Sequence, residues 1–112
     1  MLMYALVVFG VAALGGLFLA SFVLRDKFAP WAVSVLHMML GAIGLVILIL
    51  GVVNGEGASR ATAALGILVI AALGGFYLAS LHLKQKIPPR GIVLAHAGLA
   101  VVGFLTLLTT VL

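Results

Sequence analysis

The sequence predicts an all-α membrane protein whose four transmembrane helices arise from tandem duplication of one two-helix hairpin. Three observations carry this prediction. Of the 112 residues, 66% are hydrophobic and 7% charged, whereas a soluble domain carries about a quarter charged residues. So little charge cannot cover a water-facing surface. Four uncharged runs follow one another, Met1–Leu24, Phe28–Gly55, Ala61–Leu83 and Gly91–Leu112. Each reaches the ~20 residues that a helix needs to cross the hydrocarbon core. Finally, the second half of the chain repeats the first. The length fits one domain, divided here into a first hairpin at 1–53, a connecting loop at 54–60 and a second hairpin at 61–112.

The first run reads as a span rather than a signal peptide. It has no basic residues before it, and its positive charges, Arg25 and Lys27, come after it. An outer-membrane barrel would alternate apolar and polar residues, which none of the runs does. The loops at 25–30 (Arg-Asp-Lys-Phe-Ala-Pro) and 84–90 (Lys-Gln-Lys-Ile-Pro-Pro-Arg) hold five of the six basic residues. By the positive-inside rule both loops are expected in the cytoplasm of a cell with this protein in its inner membrane. Both termini and the loop at 54–60 then lie outside. Pro30 and Pro89 suit the first turn of the second and fourth helices, where a missing N–H costs nothing. Tyr4, Trp31 and Tyr77 are read as interface anchors, and Met38 and Met39 as packing.

Sliding the chain by 59 residues aligns Val11–Val53 with Ile70–Leu112 without a gap, and sixteen of the 43 positions are identical. The densest match sets Ala12-Ala13-Leu14-Gly15-Gly16 against Ala71-Ala72-Leu73-Gly74-Gly75. Lys27 meets Lys86, Pro30 meets Pro89, His37 meets His96 and Gly44 meets Gly103. Shared hydrophobicity does not place Lys, Pro, Ser and His in one register, so the pattern is read as an internal repeat. Two spans per copy give both copies the same orientation. The expected arrangement is a four-helix bundle with a pseudo-two-fold axis along the membrane normal, the second and fourth helices lying diagonally.

His37 and His96 each lie seven residues past the matched proline, about 10 Å along the helix from its basic end. An ionisable group at that depth is costly without a partner and is a functional candidate by default. One and two turns further on lie Gly41 and Gly44 in the first copy and Ala100 and Gly103 in the second. On the first and third helices Gly16 and Gly75 fall at a similar depth. The pattern is expected to leave room for a flat ligand at the histidine pair. Two histidines are too few for zinc, which takes four ligands, or three and a water. A porphyrin brings four nitrogens and leaves two axial places, so the pair is what a six-coordinate haem b requires. Arg25, Lys27, Lys84, Lys86 and Arg90 lie near the same end, within reach of its propionates. A chlorophyll-type pigment, a quinone, or no ligand at all are the alternatives. His82 faces Val23 in the repeat and sits beside Lys84. It is read as interfacial rather than as a ligand.

The facing histidines with Gly41, Gly44 and Gly103 resemble the b-type cytochrome membrane subunits, in which histidines on facing helices hold haem and glycines admit the ring. The resemblance implies a small b-type cytochrome, or an electron-transfer or anchor subunit, holding one haem with His37 and His96 as axial ligands of its iron. Its implied partners are the lipid bilayer and a larger membrane complex or redox protein. Two other readings stand beside it: an accessory subunit without a cofactor, and a small transporter. No Asp or Glu lies in any span, Asp26 and Glu56 both being in loops, which disfavours carboxylate-coupled export. No catalytic triad, carboxylate pair or phosphate loop is present, so catalysis by this chain alone is not expected. Six basic residues confined to helix ends do not make a nucleic-acid surface, and with no cysteine there is no disulfide and no thiolate metal site.

Overall fold

The computed structural model describes all 112 residues and contains four helices: α1 (Leu2–Val23), α2 (Trp31–Val53), α3 (Ala58–Leu83) and α4 (Arg90–Leu108). All four are long and apolar enough to cross a membrane, and the chain is an integral membrane protein of the helical type. The bundle is 41 Å long and about half as wide, at 23 × 20 Å.

The connections explain why the helices turn where they do. At the end of α1, Asp26 adopts a left-handed φ of 57°. The Lys27 N–H then reaches back to the Phe22 carbonyl at 2.9 Å. At the end of α3 the matched Gln85 has φ 58°, and Lys86 bonds the Leu81 carbonyl at 2.9 Å. This is the Schellman closure, which satisfies carbonyls left over at a helix end. It is built twice on polar residues and a third time, after α2, on Gly55 at φ 80° with Glu56 bonded to the Gly51 carbonyl. Pro30 and Pro89 occupy the N-cap positions, one residue before the first helical turn, with ψ of 133° and 139°. The extended ψ sets the angle at which the chain enters α2 and α4. The α2–α3 connection is shorter than its polar composition predicts. Gly57 turns the chain at φ 72°, α3 starts at Ala58, and Arg60 lies in its first turn.

Packing follows the repeat. α1 packs along α2 and α3 along α4, while α2 with α3 and α1 with α4 form lighter seams. The backbones of the diagonal pairs stay apart, so α2 and α4 face each other across the middle. Buried positions recur at the 59-residue offset: Ala5 with Ala64, Phe9 with Leu68, Ala12 with Ala71, Gly44 with Gly103 and Leu48 with Leu107. The core cluster (Leu2, Ala5, Leu6, Phe9, Leu48, Ala61, Ala64, Leu68 and Leu107) lies wholly in the half of the bundle away from the basic loops. The apolar core thus joins the hairpins at the end away from the basic loops. The half nearer the basic loops holds the histidines and few fully buried side chains.

Candidate functional site

His37 on α2 and His96 on α4 approach across the bundle with ring centroids 6.3 Å apart and planes at 88°. Each is fixed from within its own hairpin. His37 Nδ1 lies 2.7 Å from the Ala12 carbonyl oxygen, and His96 Nδ1 lies 2.7 Å from that of Ala71. Ala12 and Ala71 are matched positions, so the repeat reproduces the bond as well as the residue. A carbonyl only accepts, so each Nδ1 is the donor, and in the neutral ring Nε2 then carries the free lone pair. Neither Nε2 has a hydrogen-bond partner in the protein, and neither is fully buried.

The glycines divide into two groups. Gly16 and Gly75 seat the imidazoles. A Cβ at Gly16 would stand 2.9 Å from His37 Cε1, and one at Gly75 would stand 3.1 Å from His96 Cε1. Any larger residue on α1 or α3 at these positions would push the ring out of place. Gly44 and Gly103 serve a different purpose. A Cβ at Gly44 would lie 2.7 Å from the Phe9 ring, and one at Gly103 would lie 2.7 Å from Leu68. These two seats are filled by matched side chains of the partner helix, so the strip below the imidazoles is not bare along its length. Gly41, one turn from His37, has nothing within 4 Å of where a Cβ would be.

The donor set constrains what a metal here must be. No group of three or more His, Cys, Asp or Glu side chains converges in the chain. A metal between His37 and His96 would have two nitrogens from the protein and would have to bring its other ligands with it. Two imidazoles sharing one metal through Nε2, with bonds of about 2 Å, set their ring centres roughly 6 Å apart. The observed separation of 6.3 Å fits that arrangement. The backbone bond on each Nδ1 is the outer-shell contact that orients a ligating histidine and raises its basicity. The spacing and donor count of the pair are compatible with a metal that brings its own equatorial donors.

His82 proves to be the most heavily engaged histidine. Its ring stacks on Trp31 at 3.8 Å and 9°, with Phe28 edge-on at 4.5 Å. Its Nε2 donates to the Ala29 carbonyl at 3.1 Å, and its Nδ1 pairs with the Ser34 hydroxyl at 3.1 Å. It bolts the end of α3 to the start of α2. Trp31 is accordingly a bundle contact as well as a residue at the helix end. The sequence signal for this latch lies in its departures from the repeat, since His82, Trp31 and Ser34 face Val23, Arg90 and Val93. No protein family, no curated protein and no solved structure matches this chain.

Proposed function

We propose that this chain is a membrane-embedded b-type cytochrome, or the haem-carrying anchor subunit of a redox complex, with His37 and His96 as the axial ligands of one haem b. The observation that carries this reading is the pair of imidazoles 6.3 Å apart, each with Nδ1 held by a matched backbone carbonyl and Nε2 left free. In the apolar interior of a membrane a nitrogen lone pair without a partner is costly, and a metal ion relieves that cost. Bound there, haem supplies one-electron redox chemistry. The protein's part is to hold the two ligands: Ala12 and Ala71 fix their tautomer, and Gly16 and Gly75 give them room.

By the positive-inside rule the basic loops support a position toward the cytoplasmic side, and the proposed partner is a redox protein or a larger membrane complex. The histidine bonds also fasten α2 to α1 and α4 to α3. That packing role supports a second reading, an accessory subunit without a cofactor. Absorption spectra of the protein purified from haem-replete cells, oxidised and dithionite-reduced, separate the two. A six-coordinate b-type spectrum is expected. A preparation with no Soret band leaves the accessory reading, and a chlorophyll spectrum turns the site to pigment binding.

A further inference from the structure

The repeat places a related groove on both hairpins, and the two copies differ in chemistry. On α2 the groove is lined by Ala42, Ile43, Val46 and Ile47, with a volume of about 250 Å³. Between α3 and α4 it is lined by Arg60, Val102, Leu105, Thr106 and Thr109, with a volume of about 530 Å³. Val102, Leu105 and Thr106 match Ile43, Val46 and Ile47, and Thr109 matches Leu50. Two apolar positions have thus become hydroxyls. α3 also adds a cation, whereas α1 carries no charged residue.

The second groove is polar at one end and apolar at the other. Arg60 stands in the first turn of α3 and Thr109 at the C-cap of α4, both at the membrane surface. Val102 lies seven residues before Thr109, about 10 Å deeper along the helix. Arg60 is the one basic residue at this end of the bundle. It takes no part in either ion pair of the chain, and the nearby Glu56 is engaged by the Met1 ammonium and the Leu2 N–H at the start of α1. Thr106 Oγ1 donates to the Val102 carbonyl at 2.7 Å, and Thr109 Oγ1 donates to the Thr106 carbonyl at 2.6 Å. Each hydroxyl has committed its hydrogen to its own helix and keeps its lone pairs for a donor from outside.

We infer that this groove holds one anionic phospholipid with a hydroxylated headgroup. Arg60 meets the phosphate, Thr106 and Thr109 accept hydrogen bonds from the headgroup hydroxyls, and Val102 and Leu105 lie along the start of an acyl chain. The polar-to-apolar order along α4 is the order of those groups in a lipid. A guanidinium without an ion-pair partner is complementary to a phosphate. Choline carries no polar hydrogen for the threonines to accept, and the ammonium of ethanolamine competes with Arg60 for the phosphate. A glycerol headgroup has hydroxyls and no cation of its own.

The test is native mass spectrometry of the full chain in detergent, mixed in turn with phosphatidylglycerol, phosphatidic acid and phosphatidylcholine of the same acyl chains. Phosphatidic acid keeps the phosphate and lacks the headgroup hydroxyls. The wild type is expected to retain one phosphatidylglycerol in preference to phosphatidylcholine. Arg60→Gln should weaken retention of phosphatidylglycerol and phosphatidic acid by about fivefold, the scale of one basic residue at a lipid surface. Thr106→Val combined with Thr109→Val should weaken phosphatidylglycerol and leave phosphatidic acid unchanged. Lys84→Gln, at the opposite end of the bundle, should leave the retained lipid in place. Equal retention of phosphatidylglycerol and phosphatidylcholine by the wild type overturns the inference, as does unchanged phosphatidylglycerol retention in Arg60→Gln. A loss in Lys84→Gln as large as that in Arg60→Gln overturns it too, since the attraction is then diffuse. Threonine variants that hold phosphatidylglycerol as the wild type does overturn the choice of a hydroxylated headgroup.

Discussion

Each imidazole of the pair is held by one hydrogen bond and one glycine, and this makes the site sensitive to single methyl groups. Gly16→Ala would bring a methyl to 2.9 Å from His37 Cε1, and Gly75→Ala to 3.1 Å from His96 Cε1. Both variants are expected to keep the bundle and lower the haem content, Gly16→Ala the more strongly; haem-to-protein ratios measure this. Gly44→Ala is expected to act elsewhere. Its methyl would meet the Phe9 ring at 2.7 Å, an overpacking that typically costs ~1–3 kcal/mol. It should lower the unfolding temperature in detergent first and the haem content only in consequence. The histidines, and their equal depth, were legible in the sequence because the repeat carries them. The division of labour among the glycines was not. Spacing puts Gly16, Gly44 and Gly103 near the site, but only the packing tells which are filled by Phe9, Leu68 or an imidazole.

At the scale of elements, the four helices follow from hydropathy and run length, and their ends differ from the uncharged runs by a few residues. The largest difference is at the end of α4, which stops at Leu108 rather than Leu112; α3 begins early, at Ala58, because Gly55 and Gly57 complete the turn. The His82 latch escaped the pattern for a physical reason. Repeat analysis draws attention to residues that match, whereas the latch is made of residues that do not. His82→Ala would remove two hydrogen bonds and an aromatic stack between α2 and α3. A destabilisation of about 2–4 kcal/mol is expected from the loss of such contacts together. The b-type spectrum should persist at low temperature, because His82 touches neither His37 nor His96. Thermal denaturation followed by circular dichroism, alongside the spectrum, checks both halves of this prediction.

For the whole molecule, the apolar core joins the two hairpins at the end away from the basic loops and the His82 latch joins them at the other. The diagonal placement of α2 and α4 follows from the repeat and is what brings the two histidines together. Orientation in the membrane rests on the loop charges alone. Cysteines introduced singly at Gln85 and Ser59 are both on exposed positions, and the chain has no cysteine of its own. An impermeant thiol reagent applied to intact cells is expected to label position 59 and spare position 85. The reverse pattern would invert the topology and move the histidine pair to the outer side. The proposed function requires one metal centre between two imidazoles contributed by the two halves of the repeat. Low-temperature electron paramagnetic resonance of the oxidised protein, with haem quantified on the same sample, tests it most directly. A low-spin ferric signal at one haem per chain is expected in the wild type, lost in His37→Ala and in His96→Ala alike, since either leaves a single imidazole. A low-spin signal that survives in either variant, or a wild-type protein from haem-replete cells with no haem signal, would contradict it.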